Sequence, residues 1–312
     1  MIATIIPAFK TRTKILDVIA EIGPEVKNIY IVDDGCPQKT GQFVLEKIID
    51  KRIQVIFHGK NLGVGAAMLT GYKKAISDGN TILVKVDSDG QMNPKLIHQF
   101  TDPIVNGAAD YTKGNRFSSY QDIRAMPKIR IFGNMILSLI TKFSCGYWNI
   151  FDPTNGFTAI HSKVASELIN SKISKGYFFE SDMLFWLYIH RASVKDIPMK
   201  AVYPNEISSL NIMKVIPYFL IMNTKNFIKR LYITYFLRDF SIYSLALLTG
   251  TILFSFGMVY GLYHWNISHL SGITASSGTV MLAALPIILG LQLIIYFISF
   301  DITNYPRDRL SL

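Results

Sequence analysis

The sequence predicts an α/β domain on a mainly parallel sheet, followed by amphipathic helices and two membrane-spanning helices. Three observations carry that prediction. From Met1 to about Asp110, short β-branched apolar runs alternate with stretches of helical periodicity. Polar turns rich in Asp and Gly close successive apolar runs. Past residue 240 lie two long apolar stretches, Ser241–Tyr263 and Thr279–Phe300, and neither contains a Lys, Arg, Asp or Glu.

Each element can be justified in turn. Ala3–Pro7 reads as the first strand and Lys14–Ile22 as a helix. Asn28–Val32 is a second strand ending in Asp33-Asp34-Gly35, with a helix following near Thr40–Asp50. Strand Ile53–Phe57, helix Gly65–Ser77 and strand Thr81–Val86 continue the alternation. That order implies parallel strands with helices on both faces. In such sheets ligands bind beyond the carboxyl ends of the strands. Pro7-Ala8-Phe9, Asp33-Asp34-Gly35 and Asp87-Ser88-Asp89-Gly90-Gln91 all fall at that edge. The last turn is the most informative. Two carboxylates and an amide oxygen leave the end of a buried strand, and Gly90 turns the chain. Such hard oxygen donors suit Mg²⁺ or Mn²⁺, which keep several waters and take further oxygens from a diphosphate.

The composition sets bounds. At 312 residues the chain holds one catalytic domain of ordinary size and an appendage. Half its residues are hydrophobic and 17% are charged, too apolar for a wholly water-soluble protein. Each apolar stretch exceeds the roughly 20 residues that cross ~30 Å of hydrocarbon. The connector His264–Gly278 has no Lys or Arg, whereas Lys225, Lys229, Arg230 and Arg238 precede the first span and Arg307 and Arg309 follow the second. The positive-inside rule then places the large N-terminal domain and the tail in the cytoplasm, in a bacterial inner membrane by expectation. The opening Met1–Pro7 is too short, and lacks the basic start, for a signal peptide. From Lys214 to Arg238, Ile216, Phe219, Leu220, Phe227, Ile228, Leu231, Tyr235 and Phe236 alternate with basic residues, as in helices lying in the headgroup plane. The expected division is therefore a domain over 1–212, interfacial helices over 213–240 and a two-span anchor over 241–312.

The net charge of +10 does not indicate nucleic acid. There is no basic helix and no zinc-finger spacing, and attraction to anionic lipid explains basic residues beside the spans. Cys36 and Cys145 lack metal-ligand spacing, and a cytoplasmic domain keeps them reduced.

Further motifs join those already named: Asn61-Leu62-Gly63-Val64-Gly65-Ala66-Ala67, Gly114-Asn115-Arg116-Phe117 and Asp152-Pro153-Thr154-Asn155-Gly156-Phe157. With Ile5-Ile6-Pro7-Ala8, Val32-Asp33-Asp34-Gly35 and Asp87–Gln91, in this order and spacing, the chain resembles family-2 glycosyltransferases of the GT-A type. The likeness is greatest to the polyprenyl-phosphate glycosyltransferases, the group of dolichol-phosphate mannose synthase and its bacterial relatives. The resemblance implies a Rossmann-like GT-A domain that moves a sugar from a nucleotide-sugar donor to a polyprenyl phosphate. It implies that Pro7, Ala8, Phe9, Asp33 and Asp34, with Asp87, bind the nucleotide. Asp87, Asp89 and Gln91 would hold the cation bridging the diphosphate. Arg116 would face a phosphate, and Asp152 would sit by the anomeric carbon.

Two departures qualify the likeness. The family's usual Tyr-Asn-Glu after the first strand is here Phe9-Lys10-Thr11, which favours uridine over guanine only weakly. A basic segment before the interfacial helices is replaced by Asn205–Leu210, so a phosphate clamp there would use Ser208, Ser209 or Lys214. Between Ser118 and Trp148, Arg124, Lys128 and Arg130 mix with Ile129, Ile131, Phe132, Met135 and Leu139, read as an acceptor flap touching the bilayer.

The acceptor decides what base the chemistry needs. A phosphate monoester, with a second pKa of about 6, is ionised at neutral pH and attacks unaided. A sugar hydroxyl needs a carboxylate to take its proton, from Asp152 or Asp182. Asp182 reads equally as an N-cap of the apolar stretch Met183–Ile189. Gly63 and Gly65 permit a tight helix start, and His58, His98 and His161 read as ordinary polar residues. The missing Gln-x-x-Arg-Trp segment and the presence of only two spans argue against a processive synthase. A non-catalytic nucleotide-binding membrane partner and transfer to a hydroxyl of a lipid-linked glycan remain open, as does a homo-oligomer.

Overall fold

The computed structural model describes residues 1–119, 124, 128–200 and 212–311. The chain divides into two compact units, one of Met1–Ile228 with Pro306–Leu312 and one of Lys229–Tyr305.

In the first unit, seven strands among the described residues form one sheet in the order β3-β2-β1-β4-β6-β5-β7. They are β1 (Ile2–Ala8), β2 (Val26–Asp33), β3 (Ile53–Phe57), β4 (Ile82–Lys85), β5 (Tyr111–Asn115), β6 (Thr158–His161) and β7 (Val194–Pro198). The helices between them are α1 (Ile15–Ala20), α2 (Thr40–Lys47), α3 (Val64–Ser77), α4 (Ile97–Val105), α5 (Lys128–Cys145), α6 (Ser162–Ile169) and α7 (Phe179–Ile189). β1, β2, β3 and β4 run parallel, in register from Ala8 to Asp33 and from Asp33 to Phe57. β6 alone runs against its neighbours, antiparallel to both β4 and β5, while β5 and β7 are parallel.

That single reversal positions the site. The carboxyl ends of β1, β2, β4, β5 and β7 lie along one edge, and so does the beginning of β6. The Asp152–Phe157 segment therefore arrives at the edge where Asp87 and Arg116 emerge. The core beneath is aliphatic: Ile6, Ile29, Ile31, Val84, Val86, Ile97 and Ile104 are buried, and Phe100 stacks on Phe157 at 4.0 Å between ring centroids.

Helix α8 (Ile212–Tyr232) crosses the boundary between the units and passes into a π-helical turn, Ile233–Arg238. Of the apolar residues that the sequence assigns to the lipid surface, Ile216, Leu220 and Ile228 are exposed, whereas Phe219 packs on Phe178, Phe227 packs on Phe143 and Tyr235 is buried; the exposed face is completed by Ile221 and Tyr232.

The second unit is built on α9 (Ile242–Ser271) and α10 (Ser277–Thr303), both long and apolar enough to cross a membrane. Their most apolar windows are only 22% and 11% buried, unlike a core helix. At the start of α9 the Ser244 hydroxyl accepts the Ser241 amide at 3.1 Å, satisfying one donor of the helix entry. The helices approach closely at glycines: a Cβ on Gly290 would lie 2.5 Å from Phe254 N, and one on Gly257 2.7 Å from Ala283 O. Tyr243 stacks on Phe300 at 3.5 Å. The expected connector over His264–Gly278 shrinks to residues 272–276, because α9 stays helical to Ser271. At 1.5 Å per residue the two helices are roughly 45 and 40 Å long, longer than the hydrocarbon core. Arg230, fully buried, makes a two-pronged ion pair with Asp301 near the end of α10 (2.6 and 3.0 Å), and the Tyr235 hydroxyl donates to the same carboxylate at 2.6 Å.

Candidate active site

The three polar turns converge at the carboxyl edge, and each is held from within. At the end of β1, the Pro7 carbonyl accepts the Ser88 hydroxyl (2.8 Å), and Thr11 Oγ1 donates to Ser88 Oγ (2.9 Å). Ser88 thus ties the Asp87–Gln91 turn to the Pro7-Ala8-Phe9 turn. Phe9 is exposed at 39%. Asp33 and Asp34 are both buried. Asp33 accepts the amides of Cys36 and Gly41, each at 2.7 Å. Asp34 accepts the amides of Leu62 (2.9 Å) and Gly63 (2.8 Å) and pairs with His58 Nδ1 at 2.7 Å. These carboxylates shape the crevice by folding the Gly35–Gly41 and Asn61–Gly63 segments. His58 is correspondingly more than an ordinary polar residue: its Nε2 pairs with Thr70 at 3.0 Å and clamps α3 to the loop.

Above α3 lies a second segment in very close contact. Gly65 N donates to Lys175 O at 2.9 Å. Cβ atoms on Gly63 and Gly65 would each stand 2.4 Å from a carbonyl oxygen, Lys175 O and Ser174 O. The two glycines are required by this approach, and Gly63 also has φ +94°. Asp182 holds the approaching segment, accepting Ser174 N at 2.7 Å and Asn226 Nδ2 at 2.9 Å. Its expected alternative role as an N-cap is corrected, because Phe178 occupies that position and Asp182 lies inside the first turn of α7.

The Asp87–Gln91 turn sits over a buried ion cluster. Lys85 Nζ lies 2.7 Å from Asp87 Oδ1 and 3.1 Å from Glu180 Oε1. Burial opposes the lysine charge, but the two carboxylates outweigh it and hold the ammonium well above the ordinary lysine value. Asp89 accepts Gln91 N at 3.0 Å, and Gly90 turns at φ +74°. Burial and the neighbouring Asp87 charge both push the Asp89 carboxyl up. Two mutually repelling carboxylates fit a hard divalent cation, whose charge relieves that crowding, and Gln91 follows on the same turn as a further oxygen donor. No group of three His, Cys, Asp or Glu gathers among the described residues, so water and substrate oxygens would complete such a shell.

Asp152, four residues before Gly156, is fully buried. Arg116 grips it with Nε (2.7 Å) and Nη2 (2.9 Å), and Asn155 Nδ2 adds a 3.3 Å bond. The sequence assigns these two residues to separate tasks, and the structure pairs them. Beneath the pair, the fully buried Lys113 donates to Asn155 O, and burial pushes its ammonium down to about 8 against the pull of Glu180 and Asp152. Asp196 accepts Phe151 N at 3.1 Å and Asn115 Nδ2 at 2.9 Å, and burial pushes its carboxyl up to about 6.

Arg124 is exposed, and Lys128 begins α5, whose Phe132, Met135, Ile136 and Leu139 form an exposed apolar stripe. Ser208 and Ser209 lie outside the described residues. Sequence reasoning missed Lys85, Lys113, Glu180 and Asp196. The available signal was a lone lysine in each of two otherwise buried strands, since an ammonium there demands an acidic partner.

A turn bearing Asp87 and Asp89 thus stands at the carboxyl edge of a mainly parallel sheet, faced by the loop that leads into the reversed β6. The sequence profile of Glycosyl transferase family 2 matches residues 4–169, more than half the chain. The chain belongs to that family. This family 2 transferase is 30% identical over 218 residues to UDP-N-acetylglucosamine–dolichyl-phosphate N-acetylglucosaminyltransferase of Methanococcus voltae, covering 65% of this chain and 86% of the relative. It is 28% identical over 201 residues to polyprenol monophosphomannose synthase of Mycolicibacterium smegmatis, covering 62% and 75%. Among solved structures, glucosyl-3-phosphoglycerate synthase from Mycobacterium tuberculosis superposes with a TM-score of 0.54 at 16% identity, over 74% of this chain and 79% of that one. The last likeness establishes the GT-A fold and nothing finer.

Proposed function

We propose that this family 2 transferase moves one sugar, with inversion, from a nucleotide-sugar to a polyprenyl phosphate at the cytoplasmic leaflet of its membrane. The named relatives act on dolichyl and polyprenol phosphates, and two apolar helices follow the transferase domain. In this reading residues 1–212 do the chemistry, 213–240 lie at the lipid surface and 241–312 anchor the chain. UDP is favoured over GDP, from Phe9-Lys10-Thr11 and from the donor named for the M. voltae relative.

One observation carries the acceptor assignment: the carboxylates that a hydroxyl acceptor would need are already engaged. Asp152 is gripped by Arg116, and Asp182 holds Ser174 and Asn226. An ionised phosphate needs no base, so it fits a site whose acids are committed elsewhere. Mg²⁺ or Mn²⁺ held by Asp87, Asp89 and Gln91 would neutralise charge on the departing diphosphate. Pro7, Ala8 and Phe9, with the segments folded by Asp33 and Asp34, cradle the nucleoside. The Arg116–Asp152 pair fixes the floor beside the anomeric carbon. Arg124, Lys128, Ser208 and Ser209 are assigned to the lipid phosphate.

Membranes carrying the protein, given radiolabelled UDP- and GDP-sugars and undecaprenyl or dolichyl phosphate, are expected to yield a lipid-extractable product. Mild acid should release its label as a single sugar, and Asp89→Ala should abolish it. Label found only on a longer lipid-linked glycan would favour the hydroxyl acceptor. No transfer of any label would leave a non-catalytic binding protein.

A further inference from the structure

Lys85 is placed where an arriving cation must contend with it. Its ammonium shares the Asp87 carboxylate at 2.7 Å and the Glu180 carboxylate at 3.1 Å, with its side chain 2% exposed. Lys85 and Lys113 stand directly opposite Thr158 on either side of β6, so both side chains leave the same face of the sheet. Glu180, from the first turn of α7, meets that face and interacts with both ammonium groups. Asp87, Lys85, Glu180 and Lys113 therefore form an alternating series of charges from the Asp87 turn inward. Asp87 cannot serve a divalent cation fully while it also neutralises a buried ammonium. That positive charge needs another anion close by, and Glu180 is the one that touches it.

We propose that Glu180 is a positioning residue for the cation site, acting through Lys85: it draws the ammonium away from Asp87 so that Asp87 can take the cation of the donor diphosphate. The inference rests on reading Asp87 and Asp89 as cation ligands. Glu180→Gln keeps an oxygen for Lys85 to bond but removes the charge, so the ammonium commits to Asp87.

The test is Mn²⁺ binding to the full chain in detergent, followed by the electron paramagnetic resonance of free Mn²⁺, with and without UDP. The native protein should bind Mn²⁺ in the presence of UDP. Glu180→Gln should bind it about tenfold more weakly, because the Lys85 ammonium then commits to Asp87 and competes with the cation for that carboxylate. UDP affinity without metal should stay within twofold, which a merely distorted fold would not preserve. In a Lys85→Gln background the further change Glu180→Gln should have little effect, because the mediator is gone. Unchanged Mn²⁺ affinity in Glu180→Gln overturns the inference while leaving the site reading intact. No Mn²⁺ binding by the native protein overturns both. If Glu180→Gln does not fold, Glu180→Asp serves instead: its shorter reach should weaken Mn²⁺ binding at least threefold, and native affinity would refute the role.

Discussion

Gly156→Ala probes the contact on which the two halves of the site depend. A Cβ at this position would lie 2.3 Å from Asp87 Oδ2, 2.5 Å from Lys85 Nζ and 2.9 Å from Met92 Cε. None of these atoms can retreat freely: Lys85 is buried between two carboxylates, and Met92 Sδ accepts the Asp87 amide at 3.3 Å. Restoring an ordinary contact of 3.4 Å means moving the Asp87 carboxylate, or the Asp152–Phe157 segment, by about 1 Å. Overpacking of this kind costs about 1–3 kcal/mol, offset by about 0.4–1 kcal/mol from the stiffer unfolded chain. The net loss is about 1–2 kcal/mol, a fall in Tm of roughly 2–8 °C for a domain of this size. Activity should fall much further, because a 1 Å displacement of reacting groups can cost about a hundredfold. Sugar transfer into extracted lipid and a thermal melt in detergent measure the two effects separately. Gly176→Ala is the control, since nothing lies within 4 Å of its Cβ. A Gly156→Ala protein that transfers sugar within threefold of native would refute the argument that this glycine seats Asp87 against the Asp152 segment.

Three further outcomes are expected. Arg116→Ala leaves a fully buried Asp152 without its two-pronged partner and should cost about 2–4 kcal/mol by chemical denaturation, with Arg116→Lys recovering only part because it cannot bond in a fork. Asp196 holds its proton more tightly folded than unfolded, since its carboxyl stands at about 6 rather than 3.8. Its contribution to stability is therefore greatest in acid and is lost as pH rises from about 4 to about 6, by up to ~3 kcal/mol, and Asp196→Asn should flatten that part of the stability profile. Asp301→Ala removes the two-pronged carboxylate partner of the buried Arg230 and should destabilise the second unit by about 3 kcal/mol, while Asp301→Asn, which keeps an acceptor, should cost less; a chemical denaturation in detergent measures both.

Elements encoded by local pattern were legible in the sequence. β3 at Ile53–Phe57 and α3, starting one residue before its expected Gly65, follow from β-branched runs, helical periodicity and flanking turn residues. The order of strands and helices then implied a parallel sheet and a ligand edge. The two apolar helices were equally plain, since twenty residues without charge are a local property. Their ends were not, and α9 ran on through the expected connector because His264–Ser271 contains no breaker before Gly272.

Partners were another matter. Asp33, Asp34, Asp152 and Asp182 were all readable as acids at a ligand edge, but whether each offers its charge outward or spends it on the chain's own amides depends on segments brought in from elsewhere. Lys85 and Glu180 stand 95 residues apart in sequence, and Arg116 and Asp152 stand 36 apart. The sequence alone determined the family's chemistry-bearing residue types and the sheet edge they share. Tertiary structure alone decided which of those charges neutralise one another, because that follows from the reversed β6 and the packing of α7, neither of which leaves a periodic trace in the chain.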